Sequence, residues 1–402
     1  MIIKNLVTAL TTMTLPELVE AINPRSTSGE VVTPERSQSI SSAYRCINIL
    51  SDDVGKMPLQ TFTRKTPGVI ERVKPDPLLQ NIAFLLEMRP NRYMIPFIFK
   101  KILIRWLICW GNSYAWRPLM GGSGNEIFIL PSNRTFPMFD NDGYLWYQTT
   151  FRNGTVHYIP DVEMLHLVIN SNDGITGKSV IEYARESLGR QLAAQKTQGQ
   201  FFSQGLNPAG IIWTAGEANK EARSKIRSAY EEAMSGTDNA YRLAVMDNKI
   251  TKFEAITMKP ADAQFLESIE ATDSEIANFF GVPLYKLNSG KQSYQSNEQQ
   301  NLDYLNTTLD PFLVQIEQAA ALKWLPTYDQ VHTYFKFNRD VILRTDAKTR
   351  TEVLAQKIQS GQMTPNEARE KEDMSSYPGG DDHYMPSNMA SIENGNLATG
   401  EK

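Results

Sequence analysis

The chain has 402 residues, 41% apolar and 21% charged, and its 41 basic and 45 acidic side chains leave a formal net charge of −4. That composition describes a folded chain of two or three domains with ample length for a core, and excludes a disordered or membrane-embedded polypeptide. A balance this close to neutral also excludes the cationic excess of a tight, static nucleic-acid binder.

Residues 1–36 end in the polar stretch Asn23-Pro24-Arg25-Ser26-Thr27-Ser28-Gly29, which reads as a flexible arm with no secretory-signal pattern. A helix is predicted from about Ser37, with Ala43, Cys46, Ile47 and Leu50 at helical spacing, ending at Gly55 before Pro58. Leu59 to Arg64 alternates like a strand. Pro77 to Glu87 and Met94 to Trp110 are predicted helices on either side of the turn Arg89-Pro90-Asn91. The apolar run Phe97 to Trp110 is interrupted by Lys100, Lys101 and Arg105, and is shorter than the roughly 20 residues of a membrane span. From Ser113 to Ile169, short aromatic and β-branched runs are separated by Gly121-Gly122, Asn141-Asp142-Gly143 and Asn153-Gly154, the punctuation of hairpins.

Beyond the loop Ser171 to Gly177, one helix is predicted over Ser179 to Gln204, weakened by Gly189 and Gly199. Residues 205–258 read as a small α/β insert, with strands at Gly210 to Trp213, Arg242 to Met246 and Lys252 to Ile256 and a helix from Ala218 to Met234. A further helix, Asp262 to Phe280, stops at Gly281-Val282-Pro283. A polar loop, Lys286 to Asn297, leads to a helix capped by Asn297 that reaches Trp324 with a kink at Pro311. Ala347 to Ser360 is helical, and Thr364 caps a short helix with Pro365 at its first position. Residues 375–402 are polar and predicted to be disordered. The class is α+β, mainly helical, without internal repeats.

Cys46 and Cys109 sit in apolar helical patterns without a CxxC pair, and read as buried free thiols of a reducing compartment. His157, His166, His332 and His383 are scattered, so neither a metal nor a cofactor is expected. Gly174-Ile175-Thr176-Gly177-Lys178-Ser179 imitates a phosphate-binding loop, but Asn172 stands where the first glycine is needed. Leu243 to Asp247 imitates the strand that carries a magnesium-binding aspartate, so the enzymatic alternative is an NTPase using Lys178 and Asp247. Asp262, Glu267, Glu270, Asp273 and Glu275 read as a solvated acidic face rather than a hydrolase pair, since no histidine or partner acid adjoins. Ser39, Ser41 and Ser42 lack a nucleophile-elbow context. No zinc finger, basic zipper or RNA-binding signature is present, so any DNA contact should be nonspecific. Lys286 and Lys291 are the candidates for touching phosphate, with solvated loop lysines as the alternative.

Several segments carry a resemblance. They are Ala43 to Ile47, Arg89-Pro90-Asn91, Gly111 to Ala115, Asp173 to Ser179, Phe201 to Gly205, Asp262 to Phe265, Ile276 to Pro283, Asn297 to Gln300 and Thr364 to Arg369. In order and coverage, over about residues 40–385, the chain resembles portal proteins of tailed bacteriophages, of the Hong Kong 97 type. The resemblance implies a portal fold with wing, stem, clip and crown, assembled as a ring of twelve subunits at one capsid vertex with double-stranded DNA passing through. It implies a wing over 37–177, stem helices over 178–204 and 259–285, a clip over 205–258 and a tunnel loop over 286–297. A kinked helix over 298–345 would return through the wing, and 346–374 would form the crown. Lys286, Asn288, Ser289, Lys291, Gln292 and Ser293 would face DNA from the tunnel loop, and Asp262, Glu267, Glu270 and Asp273 would line the channel from the stem.

The partners implied are the large terminase, the major capsid or scaffold protein and a head–tail connector, with no membrane and no catalytic residue. The location implied is the virion, after assembly in the host bacterial cytoplasm. A capsid or tail adaptor without a DNA channel is the structural alternative. Near-neutral charge suits a sliding duplex, because each neutralised phosphate steepens binding and opposes translocation.

Overall fold

Ala43, Cys46, Ile47, Leu50 and Val54 form one stripe of helix α1 (Ser41–Lys56), and all are shut from solvent. After α2 (Ile82–Glu87), capped by the Asn81 side chain, α3 (Pro96–Trp110) packs against α1 and buries Phe99, Leu103, Ile104, Leu107 and Ile108. Burying each such side chain contributes about 1.5–3 kcal/mol, so this pair of helices is the main apolar seam of its unit. The three cations that interrupt α3 all turn toward the first helix. Lys100 Nζ donates to the Met57 carbonyl, Lys101 pairs with Asp52 at 2.5 Å, and Arg105 donates to Asn48 and Gln38 at 2.7 and 2.5 Å. Burial lowers the Lys100 pKa to about 8. Among the described residues no helix is long and apolar enough to cross a membrane.

The structure, a computed structural model, describes residues 26–66, 69–76, 81–119, 126–203, 210–214, 221, 224, 228, 250–255, 272–287, 297–342, 347–372 and 374–384. The strands are β1 (Leu59–Thr66), β2 (Val69–Arg72), β3 (Asn112–Trp116), β4 (Phe128–Leu130), β5 (Thr135–Phe139), β6 (Leu145–Thr150), β7 (Val156–Pro160), β8 (Met164–Val168), β9 (Gly210–Thr214), β10 (Ile250–Ala255) and β11 (Thr333–Phe337). They pair antiparallel in the orders β11-β1-β2, β4-β3-β8, β5-β6-β7 and β9-β10. In the third sheet Thr135, Tyr147, Thr149 and Ile159 face inward and are buried. Its other face carries Phe136, Met138, Trp146, Val156 and Tyr158, and Phe136 and Tyr158 are each more than half exposed, at 57% and 59%. The β-rich texture expected between 113 and 169 is therefore β3 to β8.

Besides a single turn at Pro34–Ser37, further helices are α4 (Val180–Tyr183), α5 (Arg185–Ser203), α6 (residues 272–280), α7 (Asn297–Tyr304), α8 (Asp310–Trp324), α9 (Ala347–Gln359) and α10 (Pro365–Lys371). The single helix expected over Ser179 to Gln204 is two, because Ala184 leaves helical geometry at ψ 6 and caps the first, whose amino end Ser179 caps by accepting from Glu182 N. The kink expected at Pro311 takes the form of a π-turn, Leu305–Leu309, in which Asp310 N–H bonds to the Leu305 carbonyl. Proline lacks the N–H an α-helix would need there, and the wider turn accommodates that loss. Of the insert, β9 and β10 match two expected strands, and residues 221, 224 and 228 are helical. The strand expected at Arg242 to Met246 lies outside the described residues.

The chain divides into two compact units, residues 1–292 with 304–337, and residues 293–303 with 338–402. Both expected floppy ends are partly ordered. In the first unit Glu186 accepts from Thr27 N and Oγ1 at 3.0 and 2.5 Å, and Glu30 pairs with Arg36 at 2.7 Å and with Lys196 at 2.9 Å. Residues 26–30 thus lie on α5, where Gly189 makes room: a Cβ there would fall 2.1 Å from Ser26 Oγ. In the second unit a capping box joins Thr364 and Glu367. There the Asn366 amide donates to the Tyr377 carbonyl at 3.0 Å and to Asp381 at 2.8 Å, and accepts from Tyr377 N at 3.0 Å. Residues 375–384 are therefore folded back on α10 rather than disordered.

Candidate functional site

Helix α6 ends at Gly281, whose φ of 65° a side chain would resist, and the chain turns through Val282 and Pro283 into the 3-10 turn Leu284–Leu287. That turn is fastened to α1. Arg45 donates from Nε and Nη2 to the Lys286 carbonyl at 3.1 and 2.9 Å. Asp53, buried on the same helix, accepts from Lys286 Nζ at 3.0 Å and from Lys56 Nζ at 3.1 Å. The Tyr304 hydroxyl donates to Asp53 Oδ2 at 3.2 Å, and Lys286 Nζ lies 4.1 Å from the centroid of the Tyr304 ring. Burial, and next the Asp53 charge, push the Tyr304 hydroxyl well above its ordinary pKa, so it remains a donor. Thr308 adds a bond to the Gly281 carbonyl at 2.7 Å. One carboxylate thus meets residues on both sides of the segment 288–296.

This places Lys286 differently from the expectation of a mobile loop cation. Its side chain is 19% exposed and its ammonium is held between a carboxylate and an aromatic face, the geometry of a partly desolvated ion pair. Asn288, Ser289, Lys291, Gln292 and Ser293 lie outside the described residues, as do Asp262, Glu267 and Glu270. Asp273 is described and half-buried, with its Oδ1 shut from solvent without a hydrogen-bond partner. Burial, with the Asp273 charge second, raises the Cys46 thiol to about 12. Burial likewise raises Cys109 to about 12, and both cysteines are buried and free. Asp53 and Tyr304 were not singled out in the sequence. A charged residue inside the apolar stripe of α1 was the available signal.

The phosphate-loop imitation closes on itself. Asp173 Oδ1 accepts from the backbone of Ile175 and Thr176 at 2.8 and 2.7 Å, so its carboxylate occupies the N–H groups that an anion would need. Lys178 faces Glu182 at 3.8 Å, and Asp247 lies outside the described residues. Gly177 is instead gripped by Asn112, whose Oδ1 accepts its N–H at 2.9 Å and whose Nδ2 donates to its carbonyl at 2.9 Å. Asn112 Oδ1 also meets His166 Nε2 at 3.1 Å, while His166 Nδ1 meets the Tyr147 hydroxyl at 3.3 Å. The imidazole stacks on Tyr114 at 4.4 Å. Among the described residues no group of three or more His, Cys, Asp or Glu is gathered to hold a metal ion.

Burial first, and the Lys323 charge second, lower the His166 pKa from 6.5 to about 3. The unfolded chain binds this proton below pH 6.5 and the folded chain does not, so stability is complete above 6.5 and is lost as pH falls toward 3. Between pH 7.5 and 5 the expected loss from this group is about 2 kcal/mol. Urea unfolding of wild type and His166→Gln at both pH values checks it. The wild type should show the larger drop by that amount, and parallel drops would refute a neutral buried imidazole.

Several segments that carry the family resemblance thus fasten backbone to backbone. Arg45 holds the 284–287 turn, Asn112 holds Gly177, and Asn91 Nδ2 donates to the Ile127 carbonyl at 2.7 Å. Over residues 41–373 the chain matches the family model described as phage portal protein. It is 29% identical over 357 residues to the portal protein of Enterobacteria phage HK97, covering 87% of this chain and 82% of that one. It is 27% identical over 392 residues to the probable portal protein of Streptomyces phage phiC31, covering 91% and 81%. Its fold matches an HK97-family phage portal protein from Corynebacterium diphtheriae with a TM-score of 0.56 at 14% identity, covering 78% of this chain and 96% of that one. A chain in the neck of an empty gene transfer agent particle, computed with C6 symmetry, matches with a TM-score of 0.57 at 21% identity, covering 88% and 97%. Matched by the family model along most of its length and by both phage relatives at their portal proteins, the chain belongs to the phage portal protein family, in its Hong Kong 97 type.

Proposed function

We propose that this chain forms a ring of twelve subunits at one capsid vertex, through whose axial channel double-stranded DNA is packaged and later ejected. The observation that carries the reading is the fold likeness to chains from particle necks, one of them in a neck computed with C12 symmetry, TM-score 0.54, covering 89% of this chain and 99% of that one. In this reading residues 37–177 form the wing, α4, α5 and α6 belong to the stem, β9 and β10 to the clip, and α9 and α10 to the crown. The clip receives the large terminase and later the head–tail connector, the wing meets the capsid or scaffold protein, and the finished ring resides in the virion. The chain itself does no chemistry; force for translocation comes from the terminase.

The anchored root suits residues 288–296 to a channel loop, because a segment that must meet a passing duplex needs ends that do not yield with it. Within the segment Lys291 is the cation left to touch phosphate, with Asn288, Ser289, Gln292 and Ser293 as neutral neighbours. Lys286 supports the loop from its Asp53 site. Negative-stain images of the assembled full chain test the ring: a closed ring with a central hole that admits duplex DNA is expected, and lattices or filaments would overturn it. Lys291→Ala is expected to leave rings intact and to lower packaged DNA, with unchanged packaging removing the phosphate role. ATP hydrolysis by the purified chain that disappears in Lys178→Ala would return the NTPase alternative.

A further inference from the structure

We propose that Asp53 is a positioning residue that makes the turn before the 288–296 segment and the helical stretch that begins at Tyr304 move as one body. Three elements meet on its carboxylate: α1 supplies it, the Leu284–Leu287 turn reaches it through Lys286 at 3.0 Å, and the end of α7 reaches it through Tyr304 at 3.2 Å. Lys56, on the same helix as Asp53, takes the other oxygen at 3.1 Å and leaves Oδ2 to the two long-range partners. A second tie runs parallel to the first, because Thr308, four residues after Tyr304, bonds the Gly281 carbonyl. Tyr304, at the end of α7, and Thr308, within the π-turn, therefore meet the chain at Lys286 and at Gly281.

The sequel along the helix is the π-turn, where the backbone pairs with a shifted partner and holds an extra residue per turn. A rigid clamp directly before a π-turn confines any change of helix register to residues 305–309 and keeps Tyr304 and Lys286 in step. Removing the carboxylate cuts the shared point, so both flanking stretches should loosen together although they lie on different elements. The role in a channel rests on the reading of 288–296 proposed above, but the coupling itself is independent of DNA.

Hydrogen exchange on the full-length chain reads the coupling. In Asp53→Asn, amides of 281–287 and of 304–310 are expected to exchange about tenfold faster, both together, while β3 and β8 stay at their wild-type rates. Tyr304→Phe keeps every charge and removes one hydroxyl; it is expected to speed residues 284–287, which that hydroxyl does not touch, about threefold. Lys286→Met should speed 304–310, and Lys286→Arg, which keeps a charged donor, should restore the slower rate. Acceleration of one stretch alone in Asp53→Asn, or a wild-type rate at 284–287 in Tyr304→Phe, would overturn the proposal. If Asp53→Asn fails to fold, the Tyr304 and Lys286 variants decide. An uncoupled result leaves the ring reading standing, and filaments in place of rings leave the coupling standing.

Discussion

Gly177→Ala is expected to cost more than about 4 kcal/mol and to remove most soluble protein, whereas Gly174→Ala, three residues earlier in the same loop, is expected to cost about 1–2 kcal/mol. A Cβ on Gly177 would sit 2.0 Å from the Gly111 carbonyl oxygen and 2.7 Å from that of Ile169. Both are backbone, and neither can swing aside. Gly111 meets the crossing from the other side: its φ is 76°, and a Cβ there would fall 2.4 Å from the Lys178 carbonyl carbon. Asn112 clasps Gly177 at N–H and carbonyl and prevents the loop from sliding away. Gly174 has a positive φ of 75° but nothing within 4 Å of its Cβ position, so only the conformational cost applies. Urea midpoints, or soluble yield where the variant does not accumulate, compare the two. Equal effects would show that chain crossing is not what Gly177 provides.

Asp53→Ala is expected to destabilise its unit by about 3–5 kcal/mol, toward the lower figure because Lys286 keeps some exposure. The substitution leaves the Lys286 ammonium over the Tyr304 ring without its counter-ion, and leaves the Tyr304 hydroxyl without its acceptor. Most of that loss is the penalty of stranded donors rather than the net worth of the pair. Adding Lys286→Met to Asp53→Ala should therefore recover about half, since replacing both members of a buried pair is close to neutral. Urea unfolding of the two single variants and the double gives the coupling directly. Additive losses would mean that the ammonium draws nothing from Asp53.

The apolar stripes of α1 and α3 and the alternation of β3 to β8 were legible in the sequence, because helical and strand periodicities record which face is buried. The glycine stop after α6 and the Thr364 cap were legible because each is a local requirement of backbone geometry. What escaped was set by partners distant in sequence. Nothing near Thr27 announces Glu186, 159 residues away, so residues 26–36 read as a loose arm. Asn366 folds residues 375–384 onto α10 with one side chain, and a polar tail carries no pattern for that. Lys286 illustrates the same limit at the site. A lysine in a Gly- and Ser-rich stretch looks free until Asp53, 233 residues earlier, is brought beside it. The position of the disturbance at Pro311 was readable, but its form was not, since a proline states which hydrogen bond is missing and not how the preceding turn widens.

The outward face of β5, β6 and β7 gives the chain a thermal signature. Phe136, Met138, Val156 and Tyr158 keep a patch of hydrocarbon in contact with water. Covering such a surface lowers heat capacity, and its driving force weakens on cooling. Contacts made through this sheet will therefore tighten on warming and in sulfate, and loosen in the cold. Exposed ion pairs such as Lys65 with Glu71, within the chain, weaken instead as salt rises. Temperature and salt, varied separately, therefore tell contacts made through this sheet from ionic ones.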